Sequence, residues 1–125
     1  MTVFRLSATV LGTPDPTGLA AFYRDLLGWE TVVDEPDWAM LRPAGGGAGL
    51  SFQLEVQHVA PVWPSGAGDQ QMQAHLDVGV DDLGAGVARA VALGASLAAH
   101  QPQDDVRVLL DPAGHPFCLF ESPQA

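Results

Sequence analysis

The sequence has no lysine. Its basic side chains are Arg5, Arg24, Arg42, Arg89 and Arg107, set against 15 acidic residues, for a formal charge of −10. A chain so acidic cannot neutralise a run of phosphates, so neither nucleic acid nor an anionic membrane surface is expected as a partner. The missing lysine also excludes a Walker-type phosphate loop, and the run GGGAG (45–49) reads instead as a flexible hairpin connection. Cysteine occurs once, at Cys118. No internal disulfide can form, and nothing points to an oxidising compartment. No apolar run reaches membrane-spanning length. The opening MTVFRLSATVLGTPDP lacks the charged and apolar regions of a signal peptide, so a soluble cytoplasmic protein is expected.

What is present is apolar and duplicated. The chain has 125 residues, 47% of them hydrophobic, which suits one domain with its own core. ATVLGTPDPTGLAAFYRDLLGWE (8–30) and HLDVGVDDLGAGVARAVALGASL (75–97) share an order: apolar strand, acidic or Asp-Pro break, short helix, Leu-Gly. LRPAGG (41–46) likewise echoes LDPAGH (110–115), so a spacing of roughly 66 residues runs along the chain.

In the first half Asp15 is the expected N-cap, Pro16 the first helical residue and Gly28 the left-handed stop, with Leu19, Phe22, Tyr23 and Leu26 on one face. In the second half Asp82 caps, Leu83, Val87, Ala90 and Val91 form the stripe, and Gly94 stops it. Gly84 and Gly86 weaken this second helix by about 1 kcal/mol each, so packing must hold it. Strands are expected at Val3–Leu11, Trp29–Val33, Trp38–Arg42 and Leu50–Val56, then at Gln73–Val80, Ser96–His100, Val106–Leu110 and Pro116–Glu121. The chain thus reads as a single domain (1–125) of α+β class, made of two β-α-β-β-β modules, 1–56 and 73–122. Residues 57–72, with two prolines and two glycines, are the linker.

FYRDLLGWE closing the first helix, HLDVGVDD opening the second half and LDPAGHPFCLF closing it resemble the vicinal oxygen chelate superfamily. That group holds glyoxalase I, bleomycin-resistance and fosfomycin-resistance proteins and extradiol dioxygenases. The sequence looks most like the small glyoxalase-like domain proteins of actinobacteria, and the similarity covers essentially the whole chain. The resemblance implies half-barrel sheets around a cavity. It also implies metal ligands on the first and last strands of each half. His75 matches the ligand histidine that opens the second half. Aligning ATVLG with HLDVG places Ala8 at the equivalent first-half position. Asp111-Pro112-Ala113-Gly114-His115-Pro116-Phe117-Cys118 places Cys118 where the family's glutamate stands, and aligning Phe52-Gln53 with Phe117-Cys118 gives Gln53 the fourth position.

Ala8, Gln53, His75 and Cys118 make a poor site for Mg, Mn or Fe. Zinc could accept His75 and Cys118, but two firm ligands rarely hold it. No cofactor is therefore expected, and any divalent metal would fall to His75, Gln53 and Cys118. Glu121 stands an odd number of residues from Cys118, so it should face the other way. Glu55 shares a face with Gln53 and is a candidate base or a solvated strand-end residue. Cys118 as a nucleophile would need a lowered pKa and a base such as His75; otherwise it is a small buried hydrophobe. His115 is assigned to a turn, while His100 and His58 carry no signal. Trp63, in HVAPVWP, is expected to lid a pocket or to pack on a partner subunit, and Trp38 and Trp29 lie on strands. Arg42 or Arg107 is a candidate anchor for an anionic ligand, or a partner of an acid such as Asp34, Asp104 or Asp105, with a surface ion pair as the default reading.

The leading functional expectation is a metal-independent, homodimeric protein whose cavity binds a small, partly apolar organic molecule, as bleomycin-binding members do by sequestration. Gln53, His75, Cys118, Trp63 and Trp38 would contact it. A lyase, isomerase or dioxygenase with an atypical metal site, or a metal-free one using His75 with Glu55, is the alternative. A regulatory or interaction module, its interior filled by side chains, is the third.

Overall fold

The computed structural model describes residues 1–123. The chain divides into two compact units, Met1–His58 and Val59–Ala125. The first holds β1 (Ala8–Thr13), α1 (Pro16–Leu27), β2 (Glu30–Glu35), β3 (Trp38–Arg42) and β4 (Gly49–Leu54). The second holds β5 (Leu76–Val80), α2 (Leu83–Leu93), β6 (Ser96–Leu97), β7 (Val106–Leu110) and β8 (Pro116–Glu121). Each unit is thus β-α-β-β-β. The sheet orders are β1-β4-β3-β2 and β5-β8-β7-β6, with the first strand of each unit parallel to its last.

Local chemistry accounts for the helices. The Asp15 carboxylate accepts from Gly18 N at 3.1 Å, and Gly28 ends α1 in the left-handed region at φ 70°. Asp82 accepts from Ala85 N at 2.9 Å, and Gly94 ends α2. Leu19, Phe22 and Tyr23 are buried against the first sheet, where Tyr23 stacks on Phe52 with centroids 5.8 Å apart. The face of α2 is thinner than its stripe suggests: Ala90 is buried, whereas Val91 is exposed.

Several strand boundaries depart from expectation. β1 begins at Ala8, not Val3, because Ala8 pairs with Gly49 and the turn preceding Gly49 offers no further ladder partner. A Cβ at Gly49 would stand 2.3 Å from the Leu41 carbonyl oxygen, so β4 can start there only with glycine. β5 begins at Leu76 rather than Gln73, and β2 at Glu30 rather than Trp29. β6 is two residues long because the Gln101 side chain takes over its edge. Its Oε1 accepts from Val108 N at 2.9 Å, and its Nε2 donates to the Val108 and Ala98 carbonyls.

The turn DPAGH between β7 and β8 fixes which side of β8 faces which way. Asp111 is buried; its Oδ1 accepts from Ala113 N at 2.9 Å and His115 N at 3.0 Å. Gly114 sits at φ 87°, where a Cβ would stand 2.7 Å from that of Ala60. With this register Phe117 and Leu119 point to the α2 side and Cys118 to the opposite face. Replacing Asp111 by alanine leaves two backbone donors without this acceptor. It should cost about 1–3 kcal/mol in urea unfolding, and Asp111→Asn should recover part of that loss.

Candidate functional site

The face of the second sheet turned away from α2 forms the floor of a cavity of about 760 Å³. Asp77 on β5 is the direct ladder partner of Cys118 on β8, which pairs in turn with Val108 on β7. His75 lies two residues before Asp77 and shares its face. His75 Nε2 stands 3.1 Å from Asp77 Oδ1. Trp63 comes from the segment before β5 and stacks on the His75 ring, centroids 5.2 Å apart and planes at 23°. His100 meets the other ring in an edge contact at 5.2 Å and 71°. The Trp63 segment is closed on itself by a bridge between Val62 and Gln71 and by the Asp69 carboxylate accepting from Gly66 N.

The nitrogen of His75, an Asp77 oxygen and the Cys118 sulfur all lie within 4.8 Å of one another. Cys118 is 4% exposed. Burial, and then the charge of Asp77, push its thiol above the ordinary cysteine value. It is therefore a protonated thiol near neutral pH and a poor nucleophile. In the folded protein Cys118 should react with iodoacetamide at least about tenfold more slowly than in urea at pH 7.5, with a rate that climbs as pH rises. Peptide mass spectrometry over a pH series checks this, and equal folded and unfolded rates would refute it.

The other predicted residues are placed as follows. Gln53 and Trp38 belong to the first unit, where they are ladder partners. Gln53 Nε2 donates to Glu55 Oε1 at 2.7 Å, at the exposed end of β4. The alignment that matched Gln53 to Cys118 is corrected by the ladders. Val10 and Met40 flank Ser51 as Asp77 and Val108 flank Cys118. Ser51 is therefore the counterpart of Cys118, and Gln53 that of Phe120. Glu121, despite its odd offset from Cys118, also lines the cavity, and its carboxylate accepts from Leu83 N at the start of α2. Arg107 binds the Gln103, Asp104 and Val106 carbonyls through Nη1 rather than pairing with a carboxylate.

The family-type ligand positions thus hold Ala8 and Ser51 in the first unit and His75 and Cys118 in the second. A methyl, a buried hydroxyl, an imidazole and a thiol do not fit a hard ion such as Mg, Mn or Fe. Sequence reasoning missed Asp77 and His100. Asp77 was signalled by period two from His75. His100 reaches Trp63 through a loop, with no local signal.

The sequence model of the glyoxalase-like domain matches residues 8–120. No curated protein matches the chain. Among solved structures, a glyoxalase/bleomycin resistance protein/dioxygenase family enzyme from Burkholderia phytofirmans PsJN is 22% identical with TM-score 0.69, covering 94% of this chain and 98% of its own. The bleomycin-binding protein of Streptomyces verticillus, complexed with copper(II)-bleomycin, is 18% identical with TM-score 0.59, covering 98% and 99%. An antibiotic-binding protein from Streptomyces sp. CB03234 is 19% identical with TM-score 0.59, covering 97% and 98%. These likenesses show the fold.

Proposed function

The chain belongs to the glyoxalase-like domain family of the vicinal oxygen chelate superfamily, and from that premise we propose that it binds a small, partly apolar organic molecule in the cavity of its second unit, without a hard divalent metal. The observation that carries this is the cavity itself. Its volume suits a drug-sized ligand, and Trp63, Val106, Val108 and Phe120 give it an apolar wall over a small polar floor. Two relatives of this fold bind antibiotics, which supports sequestration as the mode. No arginine lines the cavity among the described residues, while Asp77, Asp105 and Glu121 do. The ligand is accordingly neutral or cationic. The protein acts as a homodimer in the cytoplasm on this reading.

One observation favours an enzyme instead. Asp77 faces His75 at 3.1 Å, the kind of contact that orients an imidazole as a base. The interaction-module reading needs a filled interior, and the open cavity speaks against it.

Native mass spectrometry of protein purified without chelators, followed by calorimetric titration with metal-free bleomycin and with planar aromatic amines and acids, tests the proposal. A dimer carrying an organic adduct, or micromolar binding of the amines over the acids, is expected. No binding by any of them would overturn it, and turnover of a bound compound would promote the enzyme.

A further inference from the structure

Counted from the sequence, zinc had two firm ligands in this chain. The folded second unit supplies a third, Asp77, which the family alignment does not reach. We propose that His75, Asp77 and Cys118 form a self-contained site for a thiophilic divalent cation such as Zn²⁺, within one module. This differs from the hard-ion set that the resemblance implies, which draws on both modules and uses positions 8 and 51 in the first.

The geometry supports it. The three donor atoms lie within 4.8 Å of one another, and His75 Nε2 and Asp77 Oδ1 are already 3.1 Å apart. Donors on a tetrahedral zinc, at about 2.0 Å for nitrogen and oxygen and about 2.3 Å for sulfur, stand about 3.5 Å from each other. Shifts of about an ångström within ordinary rotamers close the set. Two of the three positions are held on one ladder, Asp77 in β5 and its partner Cys118 on β8, and His75 immediately precedes β5.

The donor chemistry then selects the ion. An imidazole, a carboxylate and a thiolate suit zinc, cadmium or cobalt and repel magnesium and calcium. The carboxylate and thiolate together neutralise the dication. The Cys118 sulfur is buried and has no hydrogen-bond partner among the described residues. The fourth coordination position opens into the cavity, which leaves room for water or for a donor atom of a bound molecule. Asp77 is an exposed residue whose partner is His75. As a mere surface pair it would contribute little.

This inference stands apart from the organic-ligand reading, since the three donors take the ion whether or not the cavity takes a molecule. Metal-stripped full-length protein is titrated with Co²⁺ and followed in the near ultraviolet, then back-titrated with Zn²⁺. The expected result is one equivalent bound with a sulfur-to-cobalt charge-transfer band, which Zn²⁺ abolishes. Cys118→Ser should lose the band. Asp77→Asn, at an exposed position that does not threaten folding, should weaken binding more than about 100-fold, above the 10–100-fold range usual for an outer-shell residue. Cobalt that binds without the band, no saturable binding at all, or unchanged affinity in Asp77→Asn would each overturn the site. Bleomycin titrations repeated in chelator report on the organic ligand separately, so failure of either proposal is visible alone.

Discussion

Phe117→Ala should destabilise the second unit by about 3–5 kcal/mol, the range for removing a fully buried aromatic. Phe117 is 0% exposed, is flanked across the ladders by Leu76 and Leu109, and lies on the α2 side of β8. The helix it supports is weak by composition. Gly84 and Gly86 cost α2 about 1 kcal/mol each, and Ala90 is the one α2 residue among the buried core. Removing the ring therefore leaves a cavity under a helix with little reserve of its own. Because a domain's whole stability is of order 5–15 kcal/mol, the urea midpoint should drop sharply and helical circular dichroism should fall first. Phe120→Ala is the control: one strand position away from Leu119, on the other face and 36% exposed, it should cost under about 1 kcal/mol. Similar losses in the two variants would mean that the two faces of β8 have been assigned the wrong way round.

Much of this fold is legible in the sequence because the punctuation is local. Asp15, Gly28, Asp82 and Gly94 act within one helical turn of themselves, and all four sit where their chemistry places them. Trp38–Arg42, Val106–Leu110 and Pro116–Glu121 form strands with the expected limits. What escapes is whatever depends on a partner far along the chain. Val3, Phe4 and Leu6 are strand-like residues with no strand to pair with, and they are exposed. β6 ends early because a glutamine side chain supplies hydrogen bonds that a backbone would otherwise give. The shift from Gln53 to Ser51 has the same origin. Phe52 and Phe117 look equivalent as letters, yet Phe52 pairs with Leu11 while Phe117 pairs with Leu76, the counterpart of Thr9. Register is set by hydrogen-bonded geometry over the whole ladder, and a slip of two keeps the face and so leaves no trace in the hydrophobic pattern. The same evenness of two hid Asp77, which shares the His75 face without belonging to any aligned ligand position.

Trp63→Ala should weaken the organic ligand by about 2 kcal/mol, roughly 30-fold, while barely moving the melting temperature. Trp63 lines the cavity and is held between His75 and His100, each with its ring centroid 5.2 Å away. Two ring contacts fix its rotamer before a ligand arrives, so little side-chain entropy is lost on binding. It lies outside the strands and helices, and the fully buried core of the second unit is made by other residues, among them Leu109, Phe117 and Leu119. Stability should therefore survive its loss. Three substitutions separate what the ring does. Trp63→Phe keeps a flat face and should retain most of the affinity. Trp63→Leu keeps apolar area but no π-system, and should lose about 0.5–2 kcal/mol more for a cationic ligand than for a neutral one. That difference tests the acidic lining directly, because a cation held only by Asp77, Asp105 and Glu121 would bind equally to the Phe and Leu variants. Calorimetry is the right measurement, since Trp63 is the tryptophan that lines the cavity and its removal leaves only Trp29 and Trp38 as fluorophores. Unchanged affinity in Trp63→Ala would show that the ligand is held somewhere other than this cavity, and the functional proposal would fall with it.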